Sequence, residues 1–516
     1  MPGRRPNILI LTTDQQRWDA LSYWGTPGYR TPNLDRLARE GANFTRSYCP
    51  SPVCTPARVS MITGQYSTRH GAYTIGMSPA PSLDGPTLGS VFSNAGYATA
   101  VIGKTHFVAR TIEDQHVAGV AHDAECPGSE FWAEHDGPYC GFQFVRHNRR
   151  HNADGIPNAH YRVWLERKGA PLSEIDAVHG VGARRPTYGP WDMDPEWTQN
   201  AWINDEFSMW LDSQAGDRPW LAMVNYQDPH PPYVCPDPYY SEVDMTNADL
   251  GGVVEGEMAG KPGFYQQFID GKYWTEADGT QYWDGINIPA TNVYDRVKDV
   301  SAAIRAYIGM TNMVDVYVGR LLDRLREARS FDNTLIVFTS DHGDLLGQHG
   351  MWGKGLPAYD DNHRVPGLMM WKAAQSRALG EVTSHFNHVD ILPTACDAAG
   401  VDVPPGVQGI SQVPVLRGET ESVRDWALVD HVASRNQTHP ELDTVDLHQT
   451  TFVFEEWKLV VYAHTEEGEL YDLAADPGQV CNLWDREPER RMRMLHRLAR
   501  AEMERSGTLP VRIASA

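Results

Sequence analysis

Four short apolar runs punctuate the chain, at residues 7–12, 97–102, 220–226 and 334–339, each carrying β-branched or aromatic side chains. Runs of this length, closed by polar or glycine positions, predict buried strands. Helical spacing appears between them. Residues 31–41 combine a threonine in the cap position, a proline in the first turn, apolar residues three and four apart and a terminal glycine, which predicts a short helix. Residues 299–329 read as a long amphipathic helix leading into the fourth strand. Strands alternating with helices predict an α/β fold: a large, doubly wound, mostly parallel sheet flanked by helices. From about Val423 the pattern changes. Residues 457–462 and 469–473 flank a Glu-Glu-Gly turn and read as an antiparallel hairpin, followed by a charged helix over 487–504. The expected division is a catalytic domain over 1–422 and a smaller C-terminal α+β subdomain, with an antiparallel sheet, over 423–516. Residues 251–284, rich in glycine, tyrosine and acids, read as an insertion or lid.

Composition narrows the function. Of 516 residues 41% are apolar and 22% charged, which excludes a disordered chain or a coiled coil. With 45 basic against 67 acidic residues the net charge is −22, so most of the surface repels nucleic acid and anionic membranes. A local basic pocket for a small anion remains compatible with that field. The apolar run near the start is only Ile8 to Leu11, unlike a secretory signal. No stretch approaches the roughly 20 apolar residues of a membrane span. The expectation is a cytoplasmic protein with reduced thiols. Its seven cysteines form no CxxC pair, which speaks against zinc ribbons and redox dithiols.

The residues just beyond each strand carry the chemistry. The first strand runs into Asp14-Gln15, the second into Lys104-Thr105-His106, the third into Asp228-Pro229-His230 and the fourth into Asp341-His342-Gly343. Ligands of an open parallel sheet bind outside the carboxyl ends of its strands. Four strands thus bring carboxylates, histidines and a lysine to one rim, as a metal-assisted anion site requires. Each residue has a plainer reading: Asp14 as a helix cap, His230 as a turn residue between prolines, Lys104 as a solvated charge. The stretch ending at Lys354 looks like a phosphate loop but lacks its glycine spacing and the hydroxyl residue after lysine. Singly these readings are sound; together they require four coincidences at one end of one sheet.

The segment Cys54-Thr55-Pro56-Ala57-Arg58, followed by Ser60, Thr63 and Gly64, resembles the signature of the sulfatase family within the alkaline phosphatase superfamily. Asp14 after the first strand, Thr31-Pro32-Asn33-Leu34-Asp35, Lys104 with His106, His230 between prolines, Asp341-His342-Gly343 and Lys354 come in the family's order. The ending around Glu469-Leu470-Tyr471-Asp472-Leu473, Asp476-Pro477 and Asn482-Leu483 looks like a sulfatase C-terminal subdomain. The resemblance runs from Pro6 to about Leu483. Two positions depart from the common pattern: Gln15 stands where many sulfatases have an acid, and His342 where many have asparagine. Both resemble the branch containing phosphonate monoester hydrolases, whereas that branch tends to lack the Lys-x-His pair kept here as Lys104 and His106.

The resemblance implies hydrolysis of a sulfate monoester, with Cys54 oxidised to formylglycine by a maturation enzyme. A hydrated aldehyde offers one hydroxyl to attack sulfur and a second to expel sulfate. It also implies one divalent ion held by Asp14, Gln15, Asp341, His342 and residue 54. Oxygen-rich ligation suits Ca²⁺, with Mn²⁺ or Mg²⁺ as alternatives. Arg58 would fix the nucleophile. Lys104 and Lys354 would neutralise charge on the sulfate. His106 is the implied base and His230, with Lys354, the implied acid; Lys104, His230 and Lys354 also bind substrate. The branch with similar loops is often oligomeric, so a homo-oligomer is implied as well. The rival enzyme is a phosphonate monoester or phosphodiester hydrolase using the same nucleophile; the rival from another class is an inactive binding protein of the same fold. Arg146, Arg149, Arg150, Trp164, Trp191 and Trp197 are candidates for an alcohol pocket or, more simply, packing residues.

Overall fold

The computed structural model describes residues 4–73, 85–107, 129–148, 151–152, 157–179, 188–214, 216, 218–269, 299–375, 378–433, 447–463 and 465–506. In chain order the strands begin β1 (Asn7–Thr13), β2 (Ala42–Tyr48), β3 (Ala98–Gly103), β4 (Phe144–His147), β5 (Tyr188–Trp191), β6 (Trp220–Asn225) and β7 (Tyr233–Pro236). They continue with β8 (Thr334–Ser340), β9 (Gly367–Met370), β10 (Gly380–Asn387), β11 (Trp426–Ala433), β12 (Leu447–Phe454), β13 (Trp457–Tyr462) and β14 (Gly468–Asp472).

An eight-stranded sheet has the order β10-β2-β9-β8-β1-β6-β3-β4. Only β9 runs against its neighbours β2 and β8; the other pairs are parallel. The centre is β1, paired through Ile8 with Leu221 of β6 and Leu335 of β8. All seven of its residues are buried, as expected where helices cover both faces. Alternation divides it: Leu9 and Leu11 pack with Val314, Val318 and Leu321 of the helix Val300–Glu327, whereas Ile8 and Ile10 pack with Met61, Ile62, Ile391 and Leu392 on the other face. That long helix starts at Asp299, whose carboxylate accepts from Ala302 N at 2.9 Å. Helix α1 (Pro32–Glu40) forms where its signals predict, but Thr31 does not cap it through its side chain. The threonine hydroxyl donates to Asp35 Oδ1 at 2.9 Å.

A second, four-stranded antiparallel sheet, β11-β12-β13-β14, includes the expected hairpin. Leu428, Phe452, Leu459 and Leu470 pack against Met494, Leu498 and Ala501 of the helix Pro488–Ser506. Of the expected insertion, 251–269 is described and the remainder lies outside the described residues. This part is tied down. Lys261 Nζ donates to Tyr359 Oη at 2.5 Å and to the Gln479 carbonyl at 2.8 Å, and Tyr265 Oη donates to Glu469 Oε1 at 2.9 Å. It is a strap joining the two sheets' surroundings.

Candidate functional site

Register brings the strand ends level. Thr13 pairs with Ser340, and Gly103 pairs with both Asn225 and His147, so β1, β8, β6, β3 and β4 finish on one rim. β2 ends there too and leads to helix α2 (Cys54–Thr63), which is buried on all sides. Cys54 is its first residue. No helix comes directly after Asp14, so Asp14 is not a helix cap.

Cys54 Sγ lies 2.8 Å from Lys354 Nζ, 3.2 Å from His342 Nε2, 3.7 Å from Lys104 Nζ and 3.8 Å from Asp14 Oδ1. Ligand atoms of Asp14, Cys54, Asp341 and His342 all fall within 4.8 Å of one another. Burial raises the Cys54 thiol pKa and Asp14 raises it further, more than Lys104 and Lys354 lower it. The sulfur therefore rests as a thiol, a poor nucleophile. Its position marks where an oxygen nucleophile on residue 54 would stand.

The donor set fits a divalent ion. Burial pushes Asp14 towards protonation, but Lys104 foremost, with Lys354 behind it, holds it well below the usual carboxylate range. Burial pushes Asp341 up as well, but Arg58 first, with His342 and Lys104, brings it below its ordinary value. Burial lowers His342 to about 4, which keeps the imidazole neutral and able to ligate. Its Nδ1 donates to the Gly343 carbonyl at 2.9 Å, leaving Nε2 as the lone-pair atom towards Cys54. Gln15 has a left-handed backbone, φ 69°, and its Nε2 donates to Asp344 Oδ2 at 2.8 Å. Its buried Oε1 has no hydrogen-bond partner among the described residues. An orphaned amide oxygen beside two carboxylates is what an oxygen-seeking cation would satisfy.

Cations surround the same point. Arg58, wholly buried, donates from Nε to Asp341 Oδ2 at 2.8 Å and from Nη1 to the Lys104 carbonyl at 3.2 Å. Its Nη2 lies 3.6 Å from Asp14 Oδ2. Lys104 is ion-paired with Asp14. His106, with φ 50°, is buried, and burial and Lys104 drive its pKa well below the usual value. His230 donates from Nδ1 to the Pro231 carbonyl at 2.6 Å.

A sequence comparison decides the family: the family model for Sulfatase matches residues 6–401, and that for N-sulphoglucosamine sulphohydrolase, C-terminal, matches 347–504. The chain belongs to the sulfatase family. It is 27% identical over 510 residues to an arylsulfatase of Clostridium perfringens, covering 97% of this chain and 95% of that one. It is 29% identical over 494 residues to a choline-sulfatase of Rhizobium meliloti, covering 94% and 83%. Among solved structures it is similar to the phosphonate monoester hydrolase of Agrobacterium radiobacter, at TM-score 0.74 and 26% identity over 97% of this chain and 96% of that one. As a sulfatase, it is a sulfuric ester hydrolase.

The sulfatase rim also holds residues that sequence reasoning missed. His151, beyond the unpredicted edge strand β4, stacks on His230 with ring centroids 3.7 Å apart. Asp344, two residues past His342, holds Gln15 and accepts from Tyr233 Oη at 2.8 Å; its place in an Asp-His-Gly-Asp run was a usable signal. Asp228, which the sequence already placed on the rim after the third strand, is pushed up to about 7 by burial and accepts from Asn152 and Asn200 at 2.5 and 2.8 Å. The proposed alcohol pocket fares differently. Trp164 and Trp191 are core residues, Trp197 packs against them, and Arg146 pairs with Glu206 over the Phe144 ring. Arg149 and Arg150 lie outside the described residues.

Proposed function

We propose that this sulfatase cleaves a sulfate monoester to an alcohol and inorganic sulfate, with residue 54, matured to formylglycine, as nucleophile. The reading rests on the setting of Cys54: a buried helix-start side chain within 4 Å of two lysines, a histidine and a carboxylate, yet itself held as an inert thiol. Hydrated formylglycine supplies two hydroxyls on one carbon, the first to attack sulfur and the second to release sulfate. A divalent ion, Ca²⁺ by preference, would be held by Asp14, Gln15, Asp341 and His342 with residue 54, and would acidify the attacking hydroxyl and orient a sulfate oxygen. Lys104 and Lys354 neutralise charge on the sulfate oxygens. Arg58 locks Asp341 in place and keeps its Nη2 beside Asp14. His106, neutral in its buried position, is in the form a base needs. His230 is lowered well below its usual pKa, chiefly by burial and then by His151 and Lys354. A bound sulfate ester brings negative charge that offsets this, so its acid role belongs to the complex.

Because Cys54 is wholly buried, maturation must precede closure of the site. The six described cysteines are free thiols, a state a reducing compartment preserves, and a cytoplasmic location remains our proposal. A phosphonate monoester is the second reading, favoured by Gln15 and His342 beside only two carboxylates. The test is a mass measurement on the proteolytic peptide containing residue 54, coupled to assay. Co-expression with a maturation enzyme should replace sulfur by an aldehyde oxygen and raise aryl sulfate turnover in parallel. Full turnover by unmodified protein, or by Cys54→Ala, would overturn the nucleophile.

A further inference from the structure

His151 enters the sulfatase site from an unexpected direction. It lies just past β4, the edge strand, whose His147 pairs with Gly103, the residue before Lys104. The next side chain, Asn152, donates to Asp228 Oδ1 at 2.5 Å, and the other oxygen of Asp228 accepts from Asn200 Nδ2 at 2.8 Å. Asp228 is two residues before His230. One buried carboxylate therefore anchors the segment carrying His151 to the segment carrying His230. The two imidazoles lie face to face, 3.7 Å apart and 5° from parallel. His151 Nε2 is 2.8 Å from Lys104 Nζ and 3.7 Å from Asp14 Oδ2, and the side chain is 6% exposed.

Two chemistries suit this arrangement. Asp14, His151 and His230 have ligand atoms within 4.8 Å of one another, as a second metal would need. The Lys104 ammonium, however, already bonds to both Asp14 and His151 and supplies the positive charge at that point. An ammonium only donates, so His151 Nε2 must accept and the ring proton must sit on Nδ1. With one hydrogen on Asp14 and one on His151, the ammonium has a single donor left, and Cys54 Sγ is 3.7 Å from it. His230 is restrained twice, by its Nδ1 bond to the Pro231 carbonyl and by the His151 face.

We infer that His151 is a positioning residue. Through Nε2 it aims the Lys104 ammonium at the group being transferred, and through its ring face it holds His230 for the leaving oxygen. The inference rests on the sulfatase reading above and separates into two halves that different substitutions remove. His151→Phe keeps a flat face on His230 but loses the acceptor. Lys104 acts on the transferred group whatever the alcohol, so kcat/KM should fall by a common factor of about 10–100 across aryl sulfates, with unchanged dependence on leaving-group pKa. His151→Gln keeps an acceptor but loses the ring. Poor leaving groups should then suffer most, and the plot of log kcat/KM against leaving-group pKa should steepen.

Identical slopes in both variants, or wild-type rates in both, would overturn the inference. A readout independent of turnover covers a variant that folds poorly, and also a wild type that hydrolyses no sulfate ester, which would sink the sulfatase reading alone. In protein with ¹⁵N-labelled histidine, the resonance absent from His151→Gln should report the Nδ1–H tautomer, and Lys104→Met should shift its Nε2 signal. An Nε2–H tautomer in the wild type would refute the Lys104 contact, and a Zn²⁺ titration filling a second site on Asp14, His151 and His230 would replace it with a metal role.

Discussion

At the scale of single residues, the site balances two buried carboxylates against Arg58, Lys104 and Lys354, with the neutral side chains of Gln15 and His342 beside them. Asp341 is the more demanding member. Its Oδ1 accepts from the backbone of Gln15 and of His342, both at 3.0 Å, while Oδ2 accepts from Arg58. Asp341→Ala should abolish measurable Ca²⁺ binding and also cost about 3–5 kcal/mol of stability, because it strands a buried guanidinium. Gln15→Ala removes a neutral donor and should weaken Ca²⁺ binding with a smaller loss of stability. Titration calorimetry and denaturant melts on both variants check the ranking; equal losses would deny Asp341 its double duty. His230→Ala should hurt alkyl sulfates far more than nitrophenyl sulfate, since acid help is worth about 10²–10⁴-fold only where the leaving oxygen needs a proton. Parallel leaving-group slopes would pass the acid role to Lys354.

At the scale of elements, the strand ends act as the positioning device. Gly103 closes β3 with φ +96°, and a Cβ there would meet the Asn225 carbonyl at 2.0 Å. Lys104 N donates to that same carbonyl at 3.1 Å. Gly103→Ala should therefore both destabilise the protein and push Lys104 from its place, lowering kcat more than KM rises; a kinetically silent variant would uncouple the strand end from the lysine. The sequence was legible where elements were both apolar and punctuated. β1, β3, β6 and β8 run through the buried centre and carry the residues Asp14, Lys104, His230 and Asp341. The polar strand β2, Ala-Asn-Phe-Thr-Arg-Ser-Tyr, gives no period, because part of it packs and part is half-exposed. Edge strand β4 is four residues long with only two buried, so nothing announced it, and His151 was missed with it. Helix α2 is buried all round; its amphipathic period is absent, and only the resemblance around Cys54 drew attention to it.

At the scale of the whole molecule, burial has stored many neutral histidines in a strongly acidic protein. Burial lowers His70, His160, His388 and His431 to about 3, while it raises Asp228 to about 7 and Asp315 to about 6. Between pH 6.5 and 4 the unfolded chain protonates those histidines and the folded chain does not, whereas the two aspartates act in the opposite sense. The histidines are the larger set. Unfolding should therefore take up protons, and stability should be full above about pH 6.5 and fall on acidification by roughly 1.4 kcal/mol per pH unit for each net proton. Melts at pH 7 and pH 5 should show the lower midpoint at pH 5; a higher one would reverse the assignment. The central claim, a sulfate ester cleaved through matured residue 54, is tested most directly by kcat/KM for one aryl alcohol presented as its sulfate and as its phosphonate monoester, using protein whose residue 54 is converted and whose metal is replenished. Faster turnover of the sulfate is expected, with loss of both activities in Cys54→Ala. A phosphonate preferred over the sulfate, or no turnover of either, would contradict the claim.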